Sequence, residues 1–189
     1  MGKQRVEAFT DGVIAIIITI MILEMKVPAT ADLAGLRSEL PVFLAYALSY
    51  TNVGIYWVNH HHMFHVTERI NGVVLWANLL LLFWISLMPF MIRWMDETHF
   101  AAMPTAGYGA VMVLGAMSYL FLERSIIKCN GRESKLARAI GGEMKGKISL
   151  FLYLVAIPLA FVRPAIALGL YTTIALMWFI PDRRIESII

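Results

Sequence analysis

Charge is scarce in this chain. Only 15% of its 189 residues are Asp, Glu, Lys or Arg, against about a quarter in soluble domains, and 59% are hydrophobic. Cysteine is scarcer still. The single Cys129 excludes an internal disulfide framework and a CxxC metal knuckle, and reads as an ordinary thiol at a helix end. HExxH, a phosphate loop, a nucleophile elbow and a paired set of catalytic carboxylates are all missing, so the chain is not expected to be an enzyme. The TVGYG carbonyl-filter motif is missing as well.

What fills the chain instead is long apolar runs, with a mean hydropathy of +0.70. A membrane-spanning helix needs about 20 mainly apolar residues. Six spans can be read: about Glu7 to Val27, Leu40 to Phe64, Val73 to Arg93, Pro104 to Arg124, Ile148 to Val162, and Pro164 to Pro181. Only Lys128 to Lys147 is long and polar enough for a real loop. The expected fold is all-α, a polytopic membrane protein with residues 1–189 forming one transmembrane domain.

The net charge of +3 raises nucleic acid as a partner, but the placement of the basic residues argues for membrane topology instead. With the N-terminus in the cytoplasm, Lys3, Arg5, Arg69, Arg124, Lys128, Arg132, Lys135, Arg138, Lys145, Lys147, Arg183 and Arg184 fall inside. Lys26, Arg37, Arg93 and Arg163 fall outside, a division of 12 against 4 among the 16 basic residues. An even span count then puts both termini in the cytoplasm. Lys3, Arg5, the first apolar run and Ala29-Thr30-Ala31 imitate a cleaved signal peptide. Glu7 and Asp11 before the run, and Glu24 and Lys26 after it, read against cleavage.

The first span opens RVEAFTD and then runs without charge from Gly12 to Leu23, with Thr19 its one hydroxyl. An acid at the edge of a span is costly and tends to find a partner inside the bundle. Asp11 lies on a different helical face from Arg5 and Phe9, so its partner is expected on another helix. A place at the interface near the helix N-terminus, favoured by the macrodipole, satisfies it equally well. Gly12, Ile16, Thr19 and Leu23, with Ile20 beside them, share one face. A lone threonine in an apolar span ordinarily bonds back to its own helix, and periodicity by itself does not prove a pore.

The second span ends YWVNHHHMFH. His61 and His65 share a face at i, i+4, but consecutive histidines diverge on a helix and Glu68 is the only nearby carboxylate, so a metal site is not expected. Histidines beside an interfacial aromatic belt of Tyr56, Trp57 and Phe64 fit the pattern better. In the third span, Asn78 and Ser86 are the kind of polar side chains that hydrogen-bond between helices, and Pro89 follows.

RVEAFTD resembles the RxxxFSD signature of the transmembrane protein 175 family of endolysosomal potassium channels. Arg5, Phe9 and Asp11 match, with Thr10 in place of the serine. The resemblance extends through Trp57 and the His60 or His61 region, and from Asn78 to Pro89-Phe90. It implies a potassium-selective cation channel without a carbonyl filter, whose first helices surround a central pore. Aligned from the signature, the bulky apolar ring positions fall on Ile16, Ile20 and Leu23, and the pore-facing threonine on Thr19. The resemblance also implies a structural network of Arg5, Phe9, Asp11, Trp57, His60, His61 and Asn78 that packs the pore helix on the second and third spans. One six-span repeat resembles the prokaryotic form, a homotetramer in the cell membrane. Potassium would be its permeant, with the lipid bilayer and its own copies as partners, and no cofactor or nucleic acid. The rival reading is a secondary cation or proton-coupled transporter using Asp11 and the histidines; a metalloenzyme at the histidines is a third.

Overall fold

Asp32 and Asn71 each carry the short side-chain oxygen that a helix start favours, and each caps one. The Asp32 carboxylate accepts from the Gly35 amide at 2.8 Å and from the Thr30 hydroxyl at 2.7 Å. These bonds, the Gly35 amide first, hold its carboxyl below the usual range. A Cβ at position 35 would press on the Thr30 carbonyl and hydroxyl, so the close turn requires glycine there. Asn71 accepts from the Val74 amide at 3.0 Å.

The computed structural model describes residues 2–131, 133–139 and 144–179. Among these the helices are α1 (Lys3–Leu23), α2 (Leu33–His65), α3 (Gly72–Ile85), α4 (Met88–Glu97), α5 (Ala102–Asn130), α6 (Lys135–Ala139), α7 (Met144–Val162) and α8 (Pro164–Phe179). The class is all-helical, as expected, but several boundaries differ from the sequence reading. The first helix starts and stops four residues early, at Lys3 and Leu23, because Glu24 and Lys26 leave the helix axis to meet charges on α4. The Asp32 cap starts α2 seven residues before Leu40. The expected third span is broken at Ser86–Leu87, because Pro89 has no N–H to continue the ladder. The expected Lys128–Lys147 loop is shorter, since α5 continues to Asn130 and α6 lies within it. The end of the sixth span at Pro181, together with Arg132, Arg183 and Arg184, lies outside the described residues.

Four stretches among the described residues are long and apolar enough to cross a membrane: Lys3–Leu23, Gly72–Glu97, Ala102–Asn130 and Lys145–Val162. The 16-residue α8 is apolar but shorter. At 33 residues α2 is long enough, yet Ser49, Asn52 and the terminal histidines make it more polar.

The core is built around α5, which packs most heavily against α7 and α3. Small residues let the backbones approach: a Cβ at Gly109 would collide with the Tyr171 hydroxyl of α8. The hydroxyls in this core are paired, with Tyr108 receiving Ser49 and Asn52 of α2 at 3.1 and 3.2 Å, and Tyr171 donating to the Thr105 carbonyl at 3.1 Å. The start of α1 meets the end of α2, where the Lys3 ammonium donates to the His65 carbonyl at 2.9 Å. At the same end of the bundle Asn130, closing α5, bonds the backbone of Glu68 and Arg69. The opposite end joins the exit of α1 to α4. Successive long helices therefore alternate in direction, and α1 leans on α2, α3 and α4 from one side.

Candidate functional site

Two faces of α1 behave differently. Val6, Thr10, Ile14, Ile17 and Met21 recur at helical spacing and are buried. Ile16, Ile20 and Leu23 lie on the other side, 60%, 40% and 75% exposed, with Gly12 and Thr19 also exposed among them. A row of large apolar side chains is thus left exposed among the described residues. The Thr19 hydroxyl donates to the Ala15 carbonyl one turn back, at 2.8 Å. Its proton is committed there, while the lone pairs of its oxygen, on an exposed residue, can still accept.

The buried face carries a polar chain across three helices. The Asn78 amide of α3 donates to the Thr10 hydroxyl at 2.9 Å, and its carbonyl oxygen lies 2.9 Å from His60 Nε2 of α2. All three residues are buried. Because that oxygen only accepts, His60 must carry a proton on Nε2. The His60 ring is stacked on Phe64 at 4.2 Å. Beside this chain, the Trp57 indole N–H donates to Asp11 Oδ1 at 2.9 Å, and the His61 ring stacks over Trp57 at 6.3 Å.

Of the residues the signature drew together, Asp11, Trp57, His60, His61 and Asn78 gather where α1, α2 and α3 meet. Arg5 and Phe9 do not join them; both are exposed, Phe9 at 52%. His60 bonds to Asn78, whereas His61 joins only by stacking. Thr10 is a member that sequence reasoning passed over, though its hydroxyl, kept where the signature has serine, was the available signal. The expected interfacial belt is corrected too: Trp57 is exposed, but His60 and Phe64 are core residues, because α3 and α1 cover that side of α2. Ser86 bonds the Phe83 carbonyl of its own helix at 2.7 Å rather than another helix. The His61 ring lies about 6 Å from those of His62 and His65. Among the described residues no group of three or more His, Cys, Asp or Glu side chains is placed to hold a metal ion.

The Asp11–Trp57 bond gives a direct prediction. Asp11→Ala removes the acceptor of the Trp57 indole N–H, an exposed bond whose loss costs less than that of a buried one. The expected outcome is a lower melting temperature with a shift in tryptophan emission. An equally heat-stable variant would show that Asp11 does not secure α1 to α2.

A family profile described as the endosomal/lysosomal potassium channel TMEM175 matches residues 5–89, which run from Arg5 through α2 and α3 to Pro89. A curated protein of Chryseobacterium sp. (strain P1-3), named as a potassium channel, is 52% identical over 187 residues, covering 99% of this chain and 97% of that one. The human endosomal/lysosomal proton channel TMEM175 is 35% identical over 117 residues, 55% of this chain and 23% of that protein. The crystal structure of a lysosomal potassium-selective channel TMEM175 homolog from Chamaesiphon minutus superposes with a TM-score of 0.79 at 28% identity, covering 94% of this chain and 96% of that one.

Proposed function

This chain is a multi-pass membrane protein of the TMEM175 family, and on that premise we propose that it is a potassium-selective cation channel whose conduction path is lined by α1. Four copies of one six-span repeat, residues 1–189, surround the path in the cell membrane, with both termini in the cytoplasm. The observation that carries this reading is the division of α1 into two faces. One is held by Thr10, Asn78, His60 and apolar contacts; the other leaves Ile16, Thr19, Ile20 and Leu23 exposed.

Rings of Ile16, Ile20 and Leu23 narrow the path and act as its gate. A cation passing them sheds part of its water. Potassium, being larger and more weakly hydrated than sodium, loses that water at lower cost. Emptying the narrow apolar neck of water closes it, and no carbonyl filter is needed. Thr10, Asp11, Trp57, His60, His61 and Asn78, gathered where α1, α2 and α3 meet, act structurally and set the angle of α1. No resident cofactor takes part.

Proton conduction is the second reading, favoured by the name of the human relative. Titratable side chains lining the path would favour protons over other cations, and the exposed stripe of Ile16, Thr19, Ile20 and Leu23 carries none. Potassium is therefore the better fit. The test is recording from the purified protein in a planar bilayer with potassium and sodium on opposite sides. Unitary steps reversing on the potassium side are expected. Transport without unitary steps would establish a transporter, and a reversal that follows the pH gradient alone would establish a proton path.

Thr19 gives the selectivity prediction. Its oxygen, donating inward and accepting outward, becomes a ring of acceptors where water is scarce. Thr19→Val keeps the shape and removes the oxygen. Stability is expected to change by only about 0.5–1 kcal/mol, the ordinary value for such a bond in a helical bundle. The bi-ionic reversal potential is expected to move toward zero. Identical reversal potentials for the two proteins would remove Thr19 from selectivity.

A further inference from the structure

Polar bonds hold α1 to its own bundle at both ends but not in the middle. Near its start are Lys3 to the His65 carbonyl, Thr10 to Asn78 and Asp11 to Trp57. The buried positions that follow, Ile14, Ile17 and Met21, are apolar. The second fastening comes directly after the helix stops at Leu23. Glu24 Oε2 accepts from Arg93 Nη1 at 3.0 Å, Arg93 Nε donates to Glu97 Oε1 at 3.1 Å, and the Lys26 ammonium meets Asp96 Oδ2 at 3.0 Å. Arg93, Asp96 and Glu97 stand at i, i+3 and i+4, so they form one face of α4 turned toward the exit of α1. The Asp96 carboxylate, by hydrogen bond and charge, raises the Lys26 ammonium above its ordinary value.

We propose that Arg93 is a positioning residue for the outer mouth of the conduction path. Its guanidinium is steadied on α4 by Glu97, and its free edge grips Glu24. It thereby draws the last turn of α1, with Leu23 adjoining the gripped residue, back against α4. The direction of the pull follows from the geometry. The end of α1 packs against α4, whereas Leu23 is 75% exposed and so is not covered by that contact. Releasing Glu24 lets the final turn lean toward the side Leu23 faces and narrows the mouth.

Exposed ion pairs contribute little each, because water competes for both charges, so this cluster is a minor element of overall stability. A gate responds to smaller energies than a fold does. A change of about fivefold in the open-to-closed ratio corresponds to roughly 1 kcal/mol at 1.4 kcal/mol per factor of ten. Arg93 also suits the task better than lysine, because its planar fork serves two carboxylates at fixed angles, whereas an ammonium is a single point charge.

The inference rests on the reading that α1 lines the path, and the experiment separates the two. Single-channel open probability is measured for the full chain in a planar bilayer with Glu24→Gln, Arg93→Gln, the two combined, and Arg93→Lys. Each glutamine variant is expected to lower open probability about fivefold, the double variant to be no worse than either alone, and Arg93→Lys to recover part of the loss, as a broken shared pair requires. Unchanged open probability in both single variants, or effects that multiply fully in the double, would overturn the role of Arg93. In parallel, Leu23→Cys in a Cys129→Ser background is treated with a charged thiol reagent. Block of the current supports α1 as the lining. Current that survives complete labelling overturns that reading and the inference built on it, whereas block combined with unaltered glutamine variants overturns the inference alone.

Discussion

Replacing Ile16 or Leu23 by asparagine is expected to raise unitary cation conductance and weaken the preference for potassium. Both side chains stand on the exposed stripe of α1, Ile16 inside the run and Leu23 at its end. In the proposed assembly either position becomes a ring of apolar groups through which an ion passes with part of its hydration removed. An amide there supplies a carbonyl and two N–H donors, so the neck stays wet and the ion keeps more of its shell. A barrier lowered by roughly 1.4 kcal/mol is about tenfold in rate, which is the scale expected at Ile16. Leu23, at the mouth, is expected to give the smaller increase. Because neither side chain is buried in its own chain, the melting temperature should hardly move, which separates an effect on permeation from damage to the fold. Unaltered conductance and reversal potential in both variants would mean that this face of α1 meets lipid instead.

The second large effect is expected at Asn78, where one amide satisfies two buried partners. Asn78→Leu keeps the approximate volume but leaves the His60 Nε2–H and the Thr10 hydroxyl without each other's intermediary. A buried polar group stripped of its partner costs about 1–3 kcal/mol, so two of them approach a substantial fraction of the stability of a domain. The expected result is a marked fall in melting temperature and loss of the assembled species on size-exclusion chromatography. Thr10→Ser, which retains the hydroxyl, is expected to behave like the parent protein, and Thr10→Val to fall between. Should Asn78→Leu melt with the parent protein, the buried chain from Thr10 to His60 would not be what fastens α1.

The membrane class and the helical secondary structure could be read from the sequence because run length, hydropathy and charge placement vary along one dimension. The Gly12-Ile16-Thr19-Leu23 stripe was legible for a related reason: helical spacing places those residues on one side whatever surrounds them. The same rule says nothing about whether that side meets lipid, protein or water. Boundaries were less legible. The first span was read as running to Val27, yet the helix stops at Leu23, because Glu24 and Lys26 are drawn to Arg93 and Asp96, far away in the chain.

Pairings were the least legible of all. For Asp11 the sequence left two places open, a partner on another helix or the interface near the helix start, and Trp57, 46 residues on, could be identified only once α1 and α2 lay side by side. Thr10 gave no sign that it would take the amide of Asn78 across a separation of 68 residues. His60, His61, His62 and His65 looked interchangeable in YWVNHHHMFH, and packing separated them. Successive side chains on α2 are turned about 100° apart, so α1 and α3 buried His60 against Asn78 and left His61 stacked on an exposed tryptophan. Residue chemistry sets what each group requires of its surroundings. Which group meets that requirement depends on how the helices pack, because a hydrogen bond forms only within about 3 Å, and that distance exists between side chains in space rather than along the chain.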